Sequence, residues 1–299
     1  MLKKSSLIFL ITLIIVSCTT TKKKETQGFA SVELSFDQVT ESSAIIDPQD
    51  QVGAYGPVFD EDEIIQNGQN TSKTFGVLIA PSLYKSLDAV DVLKCFEKMD
   101  RQVRLISGAG FSAIIAALFA QGDSPEQIKW KIYRELRKDK FTPYSKEWNR
   151  EWNKFIDKNI SSKRLKTSSK SLWLPEYDKE EGSVRYTSKG DFQAILKQGL
   201  NINSYDTPLK KNFLSREGLI GLPVDRLVVI NSLSDKLQFK SPDGYLLGLY
   251  GKIYSTLKNV DNSNILMINI KTDGTLDAAN IATTRRELSP ICSQLEEVL

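Results

Sequence analysis

The stretch LISGAGFSAIIAALFAQG, residues 105–122, decides the fold. It begins with a short apolar run, passes through the small residues 107–110 and continues as a longer apolar run that ends at Gly122. A short apolar run favours a buried strand and a long one favours a buried helix, because strands are the shorter elements in globular proteins. The stretch therefore predicts a strand, a sharp turn and a buried helix.

The turn of this stretch reads Gly108-Ala109-Gly110-Phe111-Ser112. It has the length of the G-x-S-x-G nucleophile elbow of hydrolases, in which a sharp, strained turn presents a serine at the top of the sheet. Glycines flank that serine because they tolerate unusual backbone angles and close neighbours. Here Gly110 stands at the nucleophile position, so the frame of an elbow is present without the hydroxyl.

The complete chain contains no histidine. This absence excludes Ser-His-Asp and Cys-His catalytic sets and HExxH zinc sites, so a hydrolytic base would have to be a carboxylate, a lysine or a terminal amine. The acidic run at residues 60–63 lacks the glycine-punctuated spacing of a calcium-binding loop. The chain also has no glycine-rich phosphate-binding motif. The sequence therefore predicts neither a metal site nor a cofactor.

The N-terminus predicts a bacterial lipoprotein signal peptide over residues 1–17. Two lysines precede the apolar segment at residues 7–16, which is too short to span a bilayer. Cys18 follows at the lipobox position, where signal cleavage leaves a lipid-modified cysteine at the new N-terminus. An uncleaved anchor helix is the alternative. We expect an extracytoplasmic protein that lipidated Cys18 holds to the membrane, and Thr19 in place of aspartate favours an outer membrane where the host has one.

The remaining chain divides into a tether with an N-terminal extension, residues 18–74, and a folded domain, residues 75–299. Within the extension, alternating polar and apolar residues at 31–37 predict a half-buried strand. Removing residues 1–17 takes away two lysines and no acidic residue, so the net charge falls from +3 to +1. A charge this close to zero argues against a nucleic-acid partner.

Strand and helix patterns alternate through residues 75–299 and predict an α/β fold with a mainly parallel central sheet flanked by helices. Strands are predicted at residues 75–80, 103–106, 171–174, 183–187, 225–231 and 265–270. Helices are predicted at residues 83–99, 111–121, from 124 onward, 146–159, 191–197, 245–257 and in a C-terminal stretch interrupted at Pro290. Cys95 and Cys292 lie in two of these helices, and two separate buried thiols are favoured over a disulfide.

This order resembles the patatin-like phospholipase family over roughly residues 75–299. The likeness rests on the strand, turn and helix at residues 75–99 and on the elbow stretch 105–122, which Ser-Pro-Glu follows. The segment GLIGLPV at residues 218–224 is similar to a later turn of the D-G-G type in the family. The resemblance implies a three-layer patatin-like fold and acyl hydrolysis by a serine–aspartate dyad that needs no histidine.

The resemblance places the family's serine on Gly110 and its aspartate on Ser215 or Arg216, so neither member of the dyad is present. Three nearby residues are candidates for a displaced nucleophile or base: Ser107, Ser112 and Glu217. Capping or helix packing is the alternative role of Ser112. An ion pair with Arg216 is the alternative role of Glu217.

The family's glycine-rich oxyanion turn falls on Pro81, Ser82 and Leu83, with Lys85 at its basic position and Ser86 at its closing glycine. Proline has no N–H to donate, and the other two residues lack the backbone freedom of glycine. The sequence therefore predicts that this turn stabilises an oxyanion poorly.

We interpret the chain as a membrane-anchored patatin-like lipoprotein that has lost acyl-hydrolase activity and serves as a lipid-binding, acyl-binding or scaffolding protein. Loss of a nucleophile costs roughly a millionfold in rate and loss of an oxyanion donor roughly a hundred- to a thousandfold. An active serine acyl hydrolase with a displaced nucleophile is the alternative. A structural envelope protein without a cleft is the third interpretation, favoured if Phe111 fills the elbow. The expected partners are the membrane and a lipid or acyl ligand, and the sequence identifies no protein partner.

Overall fold

The structure, a computed structural model, describes the greater part of the folded domain. The described residues are 74–99, 102–138, 141–166, 168–211, 213–214, 219, 221–233, 244–260, 264–270, 275–277 and 289–298. Several predicted features lie outside the described residues: Cys18, the strand at 31–37, the acidic run at 60–63 and positions 215–217.

The described strands form a six-stranded sheet. In chain order they are β1 (Phe75–Ile79), β2 (Val103–Gly108), β3 (Ser171–Asp178), β4 (Ser183–Thr187), β5 (Arg226–Asn231) and β6 (Ile265–Asn269). Their order across the sheet is β4-β3-β2-β1-β5-β6. All neighbouring pairs are parallel except β3 and β4, which form an antiparallel hairpin. The prediction of an α/β fold with a mainly parallel sheet flanked by helices is confirmed.

Helices fill the connections between the strands. The α-helices are α1 (Ala89–Lys98), α2 (Phe111–Ala120), α3 (Pro125–Leu136), α4 (Lys146–Asn159), α5 (Ser162–Lys166), α6 (Phe192–Leu200), α7 (Gly244–Lys258) and α8 (Ser289–Val298). Short 3-10 helices span Leu83–Asp88 and Pro208–Lys210. None of the helices within the described residues is long and apolar enough to cross a membrane.

The C-terminal helix α8 spans Ser289–Val298 and has Pro290 in its first turn. The residues before it, 278–288, lie outside the described residues, so the predicted interruption at Pro290 stays a prediction. Proline suits that position because its fixed φ matches the helix and because the first N–H groups of a helix have no intrahelical partner.

Helix α2 is the centre of the core, since all ten of its residues are buried. At its first turn the ring of Phe111 packs edge-on against Tyr84, with centroids 5.1 Å apart, and against Trp152, with centroids 4.8 Å apart. Trp148 adds a further ring to this cluster. The aromatic residues of α4 therefore belong to the hydrophobic core, and the ring of Phe111 packs among them.

A disulfide joins Cys95 of α1 to Cys292 of α8, with the two Cα atoms 5.2 Å apart. The prediction of two separate thiols is wrong. The two cysteines are 197 positions apart in sequence, and local spacing carries no information about which distant helices pack together.

Candidate functional site

The predicted elbow is present where β2 passes into α2. Gly110 lies between these elements with φ 60° and ψ −131°, a conformation that favours glycine because a side chain there would crowd the backbone. Gly108 also has to be glycine, since a Cβ on it would lie 2.8 Å from the carbonyl oxygen of Ser112. The backbone of the turn is therefore as sharp as a nucleophile elbow requires.

The space above Gly110 is occupied by Leu209. A Cβ on Gly110 would lie 2.7 Å from Cδ1 of Leu209, and the three atoms nearest to that Cβ all belong to this leucine. Leu209 comes from the 3-10 helix Pro208–Lys210 and is 3% exposed. A side chain at this position would have to displace the end of Leu209, and it is Leu209, rather than Phe111, that lies over the elbow. Sequence reasoning missed Leu209 because it is far along the chain from the turn.

Beside Leu209 a small crevice reaches the elbow. Its volume is about 10 Å³, enough for about one water molecule. The side chains that line it are all apolar, with Leu174 of β3 and Leu196 of α6 among them. In this conformation the crevice is too small for an acyl chain.

Ser112 is held inside the protein. Its hydroxyl oxygen lies 2.8 Å from the carbonyl oxygen of Ile79 and 2.9 Å from that of Ala109, which share its single proton, and it accepts from the N–H of Ala109 at 3.0 Å. These bonds join the end of β1 to the elbow. Ser107 lies in β2, which pairs with β1 on one side and with β3 on the other. Its buried hydroxyl has no hydrogen-bond partner among the described residues. Neither serine lines the crevice.

The turn after β1 uses its N–H groups internally. The N–H of Ser82 donates to the Ser86 hydroxyl at 3.3 Å, and a backbone hydrogen bond from Leu83 reaches the Tyr250 hydroxyl. Pro81 has no N–H. Leu83 also has a positive φ of 46°, a conformation uncommon for residues other than glycine. In this arrangement the turn has no backbone donor left at these three positions for an oxyanion.

Two buried tyrosines lie next to this turn, and neither was identified from the sequence. The hydroxyls of Tyr144 and Tyr250 hydrogen-bond each other inside the protein. Burial raises the pKa of both tyrosines well above the ordinary value, so both stay neutral hydrogen-bonding groups. Lys85, at the family's basic position, is also buried, with 4% of its surface exposed.

The positions expected for the acid of the dyad, Ser215 and Arg216, and the candidate base Glu217 lie outside the described residues. Within the part of the chain that the structure describes, no three His, Cys, Asp or Glu side chains are placed to hold a metal ion. The described site thus combines a strand–turn–helix elbow, a leucine above it and an apolar crevice beside it.

These features define an α/β protein with an elbow turn that presents no side chain. No family model matches the chain, and no curated protein matches it. Two crystal structures of the ExoU–SpcU complex from the type III secretion system of Pseudomonas aeruginosa are similar to it at 13% and 12% identity, with TM-scores of 0.39 and 0.32. A crystal structure of the type III effector protein ExoU is similar at 10% identity, with a TM-score of 0.37.

Each of these alignments covers 76% of this chain and about half of the matched chain, 53%, 53% and 49% respectively. Similarities of this size carry no argument about activity. The function proposed below therefore rests on the geometry of this chain.

Proposed function

We propose that this chain is a patatin-like lipoprotein without acyl-hydrolase activity, which serves at a membrane as a scaffolding or lipid-binding protein. One observation carries the proposal: Leu209 fills the space into which a nucleophile on Gly110 would project. A hydrolase needs a nucleophile that is exposed to substrate and activated by a base. Gly110 has no side chain and lies under a buried leucine, so it provides no such nucleophile.

The other parts of the site support the same function. The Ser112 hydroxyl already hydrogen-bonds to the backbone of Ile79 and Ala109, so using it as a nucleophile would break the link between β1 and the elbow. The N–H groups of Ser82 and Leu83 are engaged by Ser86 and Tyr250. Oxyanion stabilisation needs donors that point into the site before the substrate arrives.

The Cys95–Cys292 disulfide supports an extracytoplasmic location. Disulfides persist in oxidising compartments and are rare in a reducing cytosol. The proposal places the domain outside the cytoplasm, tethered through lipidated Cys18 to the outer membrane where the host has one. A three-layer patatin-like arrangement of the flanking helices belongs to the same proposal.

The catalytic part of the proposal is tested with a fluorophosphonate probe, which labels activated serines covalently. The full-length protein, purified in detergent, is compared with Ser112→Ala and Ser107→Ala, and hydrolysis of an ester and of a phospholipid is measured in parallel. We expect no labelling and no hydrolysis above background for all three proteins. Labelling of the unmodified protein that either substitution abolishes would establish the active hydrolase instead.

The anchoring part is tested in cells. We expect the unmodified protein in the membrane fraction and Cys18→Ser outside it, because the substitution removes the sulfur to which lipid is attached. Mass spectrometry of the mature N-terminus measures the modification directly. Equal membrane retention of both proteins, without lipid on Cys18, would contradict the lipoprotein assignment and favour an anchor helix.

A further inference from the structure

Residues 204–211, here the strap, close the elbow crevice. The strap contributes Pro208 to the crevice wall and places Leu209 against Gly110. Apart from the single 3-10 turn Pro208–Lys210, it has no regular secondary structure. The geometry of the site therefore depends on a segment that is itself part of neither the sheet nor a long helix.

The outer contacts of the strap are exposed. Lys179 and Asp206 form an ion pair at 2.5 Å, with side chains 67% and 33% exposed. The Lys210 ammonium lies 4.8 Å from the ring centroid of Tyr205 and 5.5 Å from that of Tyr245, and these rings are 84% and 53% exposed. Exposed ion pairs and cation–π contacts contribute little to stability, so these contacts hold the strap weakly.

The inner side of the strap has an unsatisfied polar group. Thr207 is 0% exposed, and its hydroxyl has no hydrogen-bond partner among the described residues. A buried hydroxyl without a partner is unfavourable, and water would satisfy it if the strap lifted. At the adjacent residue, the carbonyl of Asp206 accepts from Nε2 of Gln198 of α6 at 3.0 Å. The closed state thus has one unsatisfied hydroxyl that opposes it, while the Gln198 hydrogen bond and the burial of Pro208 and Leu209 favour it.

We propose that the strap is a displaceable plug: Leu209 occupies the place of an unbranched aliphatic chain, and lifting the strap admits such a chain to the crevice. The apolar side chains of the lining favour hydrocarbon over a polar ligand, since only a few backbone groups there could pair with a polar group. The inference rests on the proposed function, in which the crevice belongs to a non-catalytic site, and it adds how access to that site is regulated.

The test measures binding of dansylaminoundecanoic acid, whose fluorescence increases in an apolar site, to the full-length protein. If the ligand binds the crevice only while the strap is lifted, the apparent Kd rises as the fraction of molecules with a lifted strap falls. Thr207→Val replaces the unsatisfied hydroxyl by a methyl group and favours the closed state, so we expect roughly tenfold weaker binding. Gln198→Ala removes the tie to Asp206 and should strengthen binding by roughly threefold to tenfold.

Three further variants complete the design. Leu209→Ala removes the plug and should bind more tightly than the unmodified protein. Trp130→Ala removes an exposed aromatic ring on α3 that lies outside the crevice lining, so its Kd should not change. Thr207→Ser keeps the hydroxyl and should bind like the unmodified protein, which separates the hydroxyl from a packing effect.

Equal affinities of Thr207→Val, Gln198→Ala and the unmodified protein would overturn the proposal. Binding by Leu209→Ala alone would overturn it as well, because it would show a plug that does not move. Fluorophosphonate labelling of the same samples reports separately on the proposed function. If the protein is labelled and binding depends on the strap variants, only the proposed loss of catalysis is refuted. If the protein is not labelled and binding is the same in all strap variants, only the plug is refuted.

Discussion

Gly110 and Leu209 should be energetically coupled, since the structure gives them one shared volume. In Gly110→Ser the new side chain sits on a backbone with φ 60°, a strained conformation that costs about 1–3 kcal/mol. It also meets Cδ1 of Leu209 at 2.7 Å, and overpacking of this kind costs about 1–3 kcal/mol more. We therefore expect Gly110→Ser to lower the free energy of unfolding by about 2–6 kcal/mol.

The two costs can be separated with a matched control. Gly122 also has a positive φ, 96°, but a Cβ on it would have no atom within 4 Å. Gly122→Ser therefore measures backbone strain without overpacking, and we expect a loss of about 1–3 kcal/mol. Its difference from Gly110→Ser approximates the contribution of the clash with Leu209.

The double variant gives the decisive measurement. Leu209→Ala should cost about 2–5 kcal/mol because it leaves a cavity, yet it removes all three atoms nearest to the new Cβ at position 110. The double variant Gly110→Ser/Leu209→Ala should then cost about 1–3 kcal/mol less than the sum of the single variants. Urea unfolding at 25 °C, followed by circular dichroism, measures each free energy. Additivity within about 0.5 kcal/mol would refute the shared volume.

Three further predictions concern stability. Replacing both Cys95 and Cys292 by serine should cost about 2–5 kcal/mol by the urea midpoint, and a reductant should bring the unmodified protein to the same midpoint. Ser112→Ala should cost about 1–3 kcal/mol, because the buried N–H of Ala109 loses its acceptor; an unchanged midpoint would contradict the bonding described. Burial raises the pKa of Tyr186 well above its ordinary value. The unfolded chain therefore loses the Tyr186 hydroxyl proton at a lower pH than the folded protein does. The free energy of unfolding should then decline above about pH 10 by about 1.4 kcal/mol per pH unit. Tyr186→Phe should make this decline less steep between pH 10 and 12 by about 1.4 kcal/mol per pH unit, while the contribution of the buried Tyr144 and Tyr250 remains. An identical slope would count against the effect of burial.

Much of the fold was predictable because its signals lie close together in the chain. The helix predicted from residue 124 onward begins with a capping box between Ser124 and Gln127, three positions apart, and the turn at Gly108–Gly110 has the expected sharpness. Each of these features depends on neighbours within a few residues. The apolar runs predicted the buried strands and helix α2 for the same reason.

Only part of the candidate site was predictable from the sequence. Gly110 marked the missing side chain in the sequence, but nothing near it pointed to the leucine that fills the space. Likewise, the hydrogen bond from Leu83 to Tyr250 and the disulfide at Cys95 join segments far apart in the chain.

The residue types alone show that position 110 of the elbow turn carries no side chain and that the chain has no histidine to act as a base. The packing of Leu209 against Gly110 and the bonding of Ser112 to the backbone became visible in three dimensions. Backbone conformation follows from nearby residues, whereas the occupant of a buried space depends on how distant elements pack against one another.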